Sequence, residues 1–366
     1  MNDLDKIWMS NQETSGRAVH IPLGMQGPLT LPPPTPGGII AWNQLGTAFE
    51  NLLIAPPYVS TTVSASSYGS DISAAISAVG SSSVTLVVDS PITCNANAVV
   101  PANIYLEIKP PGIINISSGK TLAINGSYDF PLTQVFTGTG TITGLRYATP
   151  EWFGGGVGID SGAAINAAIK AVNGNGPIYF QPGTYLSSIP ILANIPRTHL
   201  IGSVTGNNYI DDSAGATIRF TGGTIGIDTY YTPTDEATFG TDPGMGEVYP
   251  ADNVTIENLK INGNSTLAVG IRGGNKLHIK DSSVFGCSVA GARLRGVIET
   301  YIDNSTLNFN GSGLVFDSWG GTFYMTGGNV SSNTYGLNWN GRGGASKFQN
   351  VVFENNITAN ARITSI

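Results

Sequence analysis

Charge is scarce in this chain. Only 11% of its 366 residues are charged, and 24 acids against 17 bases leave a net charge of −7. A duplex nucleic-acid binder needs clustered Lys and Arg against phosphates, so that class is excluded. Cysteine is nearly missing too. Cys94 and Cys287 stand far apart and make neither a disulfide framework nor a metal motif. Three histidines, His20, His199 and His278, argue against a zinc site. The glycines at 154–156 and 158 are followed by no lysine and lie outside any βαβ unit, so they read as a turn rather than a phosphate loop. No metal and no cofactor is expected. No apolar run reaches membrane-spanning length, and the opening MNDLDKIWMS is too polar for a secretory leader. Membrane insertion is therefore not expected. The chain is expected to stay in the cytoplasm or to leave it by assembly and cell lysis.

What is abundant is turn chemistry and a period. Gly numbers 48, and Asn, Ser and Thr are frequent. From Val254 to Asn356 apolar residues recur every 23 positions: Ile261, Val284, Leu307, Val330 and Phe353. Ile256, Ile279, Ile302, Met325 and Phe348 keep the same interval, as do the turn set Asn258, Asp281, Asn304, Gly327, Asn350 and the set Asn264, Cys287, Asn310, Asn333, Asn356. A fixed short period marks a chain that stacks on itself. The unit is too short for two helices, it alternates like a strand, and it lacks regular leucine spacing. The reading is all-β: a right-handed, single-stranded parallel β-helix. The Asn258, Asn304, Asn350 column is expected to be an asparagine ladder at a bend.

In chain order, residues 1–62 read as an attachment segment around the Pro/Gly-rich LTLPPPTPGG. Residues 63–148 hold a short helix at 71–79 and strand-like runs at 84–89, 92–94, 104–108, 113–116 and 121–124, either irregular β-structure or first coils of the same solenoid. Residues 149–366 carry the β-helix. A capping helix is expected over 161–171, with Asp160 and Ser161 as caps and Ala164, Ile165, Ala168 and Ile169 as its apolar stripe. Residues 228–252 form an inserted loop.

Three stretches resemble known families. Trp42-Asn43-Gln44-Leu45-Gly46-Thr47-Ala48-Phe49-Glu50-Asn51 is similar to a phrase of bacteriophage tail fibre and tail spike proteins. Gly112 to Gly126 is similar to the entry region of pectate-lyase-like proteins. Pro150-Glu151-Trp152-Phe153-Gly154, the Ala-rich helix, and Phe180-Gln181-Pro182-Gly183-Thr184-Tyr185 resemble the opening of pectate-lyase-like β-helix domains, a likeness running over about residues 100–270. The loop Gly155-Gly156-Val157-Gly158-Ile159-Asp160 departs from that pattern by lacking consecutive acids.

The resemblance implies a homotrimeric, virion-attached tail spike or fibre subunit, assembled in the host cytoplasm and found in the virion tail. Trp42 and Asn43 would contact other tail proteins, and the β-helix would bind bacterial surface polysaccharide. Whether it also cleaves that glycan is open. Hydrolysis needs two carboxylates about 5–5.5 Å or about 6.5–9.5 Å apart, and the candidate acids are Asp317, Glu247 and Asp242. Counting by 23 puts Arg293, Phe316, Trp339 and Arg362 in one column, either a sugar-stacking stripe or core. His278, Tyr301, Tyr324 and Lys347 alternate against the inward pattern and should face outward, as a glycan track or a subunit interface. The expected glycan-binding set is Trp319, Trp339, Tyr301, Tyr324, Arg293 and Arg295. Two other readings stand beside this one: a non-catalytic structural or adhesive tail component, and a free bacterial polysaccharide lyase or glycoside hydrolase. The chain ends about half a turn beyond Phe353 with no closing segment, so the last coil is expected to be covered by a partner or by further chain.

Overall fold

Each 23-residue unit is one coil of a parallel β-solenoid of about 11 turns. A computed structural model describes residues 38–42, 49–53, 61–203, 215–230, 251–317, 322–340 and 345–363. The chain forms two compact units, Met1–Val59 and Ser60–Ile366. In the first, Gly38–Trp42 pairs antiparallel with Phe49–Leu53. Asn43 lies outside the described residues.

In the second unit, three seven-stranded parallel sheets run along the main stack. The first runs from Pro177–Tyr179 to Ala345–Gln349, the second from Gly183–Ser187 to Val352–Glu354, and the third from Ile191–Leu192 to Ala359–Ile363. Residues 61–143 form a shorter stack of the same design, with sheets of four, three and three parallel strands. Inward residues pile on their equivalents one coil away. Ile256, Ile279, Ile302 and Met325 form one such column, each 0% exposed.

The two asparagine columns divide the work. Asn258, Asp281, Asn304, Gly327 and Asn350 all have left-handed backbone, with φ of 53°, 48°, 45°, 66° and 56°. Residues that tolerate this region turn the chain from the first sheet into the second. The continuous hydrogen-bonded ladder is not in that column, contrary to the sequence expectation. It lies in the buried column at the next bend. Asn310 Oδ1 accepts from the Cys287 amide at 3.0 Å, Asn333 Oδ1 from the Asn310 amide at 2.8 Å, and Asn356 Oδ1 from the Asn333 amide at 3.1 Å. Burial decides the difference. Asn310 and Asn333 are 5% and 0% exposed and must satisfy their amides internally, whereas the Asn304–Asp281 bond is at an exposed corner.

Among the described residues, two α-helices interrupt the coils. Ile72–Val79 is capped by Asp71, whose Oδ1 accepts from the Ser73 amide at 2.9 Å. Gly162–Val172 buries Ala164, Ile165, Ala168 and Ile169 as its stripe foretold. It packs against Thr141–Thr143 of the entry stack and against Pro177–Tyr179 and Ile191–Leu192 of the main stack. Ser161 does not cap it. Its hydroxyl is bonded to both the amide and the carbonyl of Gly156, clasping the glycine loop instead. Asn166 covers the starting edge of the third sheet: its amide donates to Pro190 O at 2.9 Å and accepts from Leu192 N at 2.7 Å, as a neighbouring strand would.

The stretch that resembles a family opening is a weld between the stacks. Pro150–Phe153 is a 3₁₀ turn ending at Gly154, where φ is 86°. Trp152 Nε1 donates to Pro131 O at 3.0 Å on the entry side. Glu151 accepts from the Tyr185 hydroxyl on the main side, and burial together with that carboxylate pushes the Tyr185 phenol up. Buried apolar residues from Ala65 to Leu337 form one continuous core.

The third sheet breaks the count of 23. Val269, Ala290, Ser312, Tyr335 and Ala359 stack at successive intervals of 21, 22, 23 and 24 residues. Arg293 therefore pairs with Val315, not Phe316, and Phe316 pairs with Leu294 and Trp339. Of the expected column Arg293, Phe316, Trp339 and Arg362, only Phe316 and Trp339 stack; Arg293 pairs with Val315 and Arg362 with Asn338.

Candidate functional site on the outer face of the first sheet

The first sheet offers a regular exposed face. Ile178, Leu200, Ile256, Ile279 and Ile302 point inward, so their neighbours on either side point out. One outward column reads His199, Thr255, His278, Tyr301, Tyr324, Lys347. The other reads Tyr179, Ile201, Glu257, Lys280, Asp303, Thr326, Gln349.

Tyr301 and Tyr324 stack with centroids 5.2 Å apart and planes 11° apart. His278 leans on Tyr301 at 5.9 Å and 60°. Stacking uses the facing surfaces of the two phenols and leaves their edges to solvent. Tyr301 is 37% exposed, and Lys347 follows Tyr324 with an exposed side chain. The column is thus a row of hydrogen-bonding groups at intervals of about 4.8 Å.

The neighbouring column is an ion ladder. Lys280 Nζ bonds Glu257 Oε1 at 2.7 Å, His199 Nε2 meets Glu257 Oε2 at 3.2 Å, and His278 Nε2 meets Asp303 Oδ2 at 2.7 Å. The hydrogen bond from Lys280, aided by His199, holds the Glu257 carboxyl below its ordinary range despite partial burial. These contacts fix the side chains without burying them, so the face stays flat and polar.

The other expected site residues fall elsewhere. Arg293 Nε bonds Asp317 Oδ2 at 2.5 Å, and Asn340 Nδ2 bonds Asp317 Oδ1 at 3.3 Å. Trp339 belongs to the inward column. It packs on the core and lies 4.6 Å from the Phe316 ring, while Phe316 is 1% exposed. Arg295 is on the strand Ala290–Ile298, and its carbonyl accepts from the Tyr230 hydroxyl at 3.2 Å. Asp242, Glu247 and Trp319 lie outside the described residues. Trp42 ends the strand Gly38–Trp42.

One polar cluster escaped the sequence reading. Asp228 and Arg272 are each 2% exposed and joined by two bonds, Nη2 to Oδ2 at 2.5 Å and Nε to Oδ1 at 3.1 Å. The Tyr230 ring lies 5.3 Å from the guanidinium. The two partners neighbour one another across a coil of 44 residues, so a 23-residue count misses them. Among the described residues, no group of three His, Cys, Asp or Glu side chains is placed to hold a metal ion, and no helix is long and apolar enough to cross a membrane. Comparison with protein-family models, curated proteins and solved structures finds no match to this chain.

Proposed function

We propose that the protein is a virion tail spike or fibre subunit that binds host cell-surface polysaccharide along the outer face of the first sheet. The observation that carries this reading is the exposed Tyr301–Tyr324 stack, continued by His278 and Lys347 on a flat sheet. Extended polymers suit a long face of repeated groups, and phenol and imidazole edges suit sugar hydroxyls. The resemblance of residues 42–51 and 150–185 to phage and pectate-lyase-like proteins supports the virion setting. By the same reading the chain is a homotrimer and docks to other tail proteins through residues 1–62. Light scattering that gives a monomer near 38.1 kDa would remove the trimer.

Binding without cleavage is the version that the site chemistry favours. Hydrolysis needs a pair of carboxylates free to reach the scissile bond. Both Asp317 oxygens are instead engaged, Oδ2 by the Arg293 guanidinium and Oδ1 by the Asn340 amide. Purified protein should retain host capsule or lipopolysaccharide without releasing new reducing ends. Tyr301→Ala with Tyr324→Ala should weaken retention at least about tenfold, the equivalent of about 1.4 kcal/mol, with an unchanged circular dichroism spectrum. Undiminished binding by the double variant would sink the assignment of the face, and new reducing ends would replace adhesion with depolymerisation.

A further inference from the structure

A second patch lies at the junction of the two stacks. Asp129 pairs directly opposite Glu107 in neighbouring parallel strands. Both side chains project from one face, about 4.8 Å apart along the stack, and like charges so placed repel. Lys109 bonds Glu107 at 3.1 Å, but its side chain is 55% exposed, and such a surface pair contributes little. Asp129 has no ion-pair partner among the described residues.

Tyrosines surround this pair. Tyr105 precedes Glu107 by two residues on the strand Ile104–Ile108, so it shares that face. Tyr147 and Tyr179 stand edge to face, with centroids 6.2 Å apart and planes at 62°. Tyr105 is 39% exposed and Tyr179 41%, so both are open to solvent. Tyr147 lies against the strand that carries Asp129, its ring 5.2 Å from that of Tyr128, and burial and then Asp129 raise the phenols of Tyr105 and Tyr147, Glu107 adding to the effect on Tyr105. Thr149 lies beside Tyr179, because Ala148 bridges Ile178 in parallel register. It follows Tyr147 by two residues on extended backbone, is 6% exposed, and its hydroxyl has no hydrogen-bond partner.

We propose that this corner binds an organic ammonium group, with Tyr105, Tyr147 and Tyr179 supplying ring surfaces and Asp129 with Glu107 supplying the countercharge. A cation over an aromatic face is attracted by the ring quadrupole, and quaternary ammonium ions suit this chemistry best. A cation between Asp129 and Glu107 also relieves the repulsion that the register builds in. The orphan Thr149 hydroxyl would accept a hydrogen bond from a primary ammonium. The ligand class is therefore an alkylammonium, whether free or carried on a larger molecule.

The test uses the full chain and two probes of nearly equal shape, choline and its neutral isostere 3,3-dimethylbutan-1-ol. Titration followed by NMR should show saturable choline binding at least about tenfold tighter than the isostere, a difference of about 1.4 kcal/mol. Asp129→Asn and Tyr179→Ala should each abolish most of that preference, while Tyr179→Phe retains it. Tyr301→Ala should leave it unchanged, which separates this site from the proposed glycan face. Asp129 and Tyr179 are exposed, so unchanged melting of their variants verifies folding. Equal affinity for the two probes, absence of saturable choline binding, or full preference in Asp129→Asn would each overturn the proposal.

Discussion

Asn310 ties three coils together through one residue. Its Oδ1 accepts from Cys287, its Nδ2 donates to Val284 O at 3.1 Å, and its own amide donates to Asn333 Oδ1. Replacing it with Leu would keep the volume and strand two buried backbone groups. Each such group costs about 1–3 kcal/mol, so Asn310→Leu should lower stability by about 3 kcal/mol. The urea midpoint measures this, and a midpoint equal to that of the wild type would show that the ladder contributes nothing. Asn310→Asp should be worse at neutral pH, because it aims a carboxylate at the Val284 carbonyl. Acid should partly rescue it by restoring a donor. Cys287 occupies the same column without an amide. Burial pushes its thiol up to about 12, so it is inert at neutral pH. The sequence displayed both asparagine columns at equal spacing. Which one is buried depends on which way each bend faces, and spacing carries no such information.

At the scale of the element, the first and second sheets were legible and the third was not. The corner between the first two sheets turns on one left-handed residue per coil. That leaves no freedom in length, and Ile256 through Phe348 keep their interval of 23. The bends on either side of the third sheet trade residues with one another, so the total stays fixed while the third sheet drifts. This is why the outward tyrosines of the first sheet were placed correctly, whereas Arg293 was assigned a neighbour one residue away. A one-residue slip in a strand exchanges inside for outside, which set Arg293 in the same column as the core residue Phe316 and left stripe and core both open for it.

The first sheet's ion ladder carries a pH prediction. The folded Glu257 carboxyl sits below its ordinary range, held there chiefly by Lys280. A depressed carboxylate stabilises the fold above its unfolded value of about 4.3 and loses that contribution as pH falls through the folded value. The pair is partly solvent-exposed, so its contribution is small. Melting temperature measured from pH 7 to below the carboxylate range should fall less steeply for Glu257→Gln than for the wild type. Parallel acid limbs would remove Glu257 from the ladder's energetics.

Across residues 60–366, the two stacks behave as one body only if their junction holds. Each coil touches its neighbours alone, so stability in a solenoid is a chain of interfaces and the weakest one sets where it parts. At this junction the strands do not simply continue. The Tyr128 hydroxyl accepts from the amides of Arg146 and Tyr147 at 2.9 and 3.0 Å and donates to Tyr147 O at 2.9 Å, replacing ladder bonds with one side chain. Trp152, 2% exposed, packs edge-on to Tyr128 and Phe130 with centroids 5.9 and 5.0 Å away. The motif that resembles a family opening was visible in the sequence, but its physical task was not, because its partners Pro131 and Tyr185 lie 21 and 34 residues away from their donors and acceptors. Hydrogen exchange along a denaturant series should give one common midpoint for peptides from 61–143 and from 177–363 in the wild type. Trp152→Ala removes about 3–5 kcal/mol of buried aromatic packing, and Tyr128→Phe leaves three backbone groups without their partner. Either variant should split the midpoints, with 61–143 opening first because its stack has the fewer coils. Separate midpoints already in the wild type would mean that the continuous core between Ala65 and Leu337 does not couple the stacks. A common midpoint retained in both variants would move the coupling to the helix Gly162–Val172.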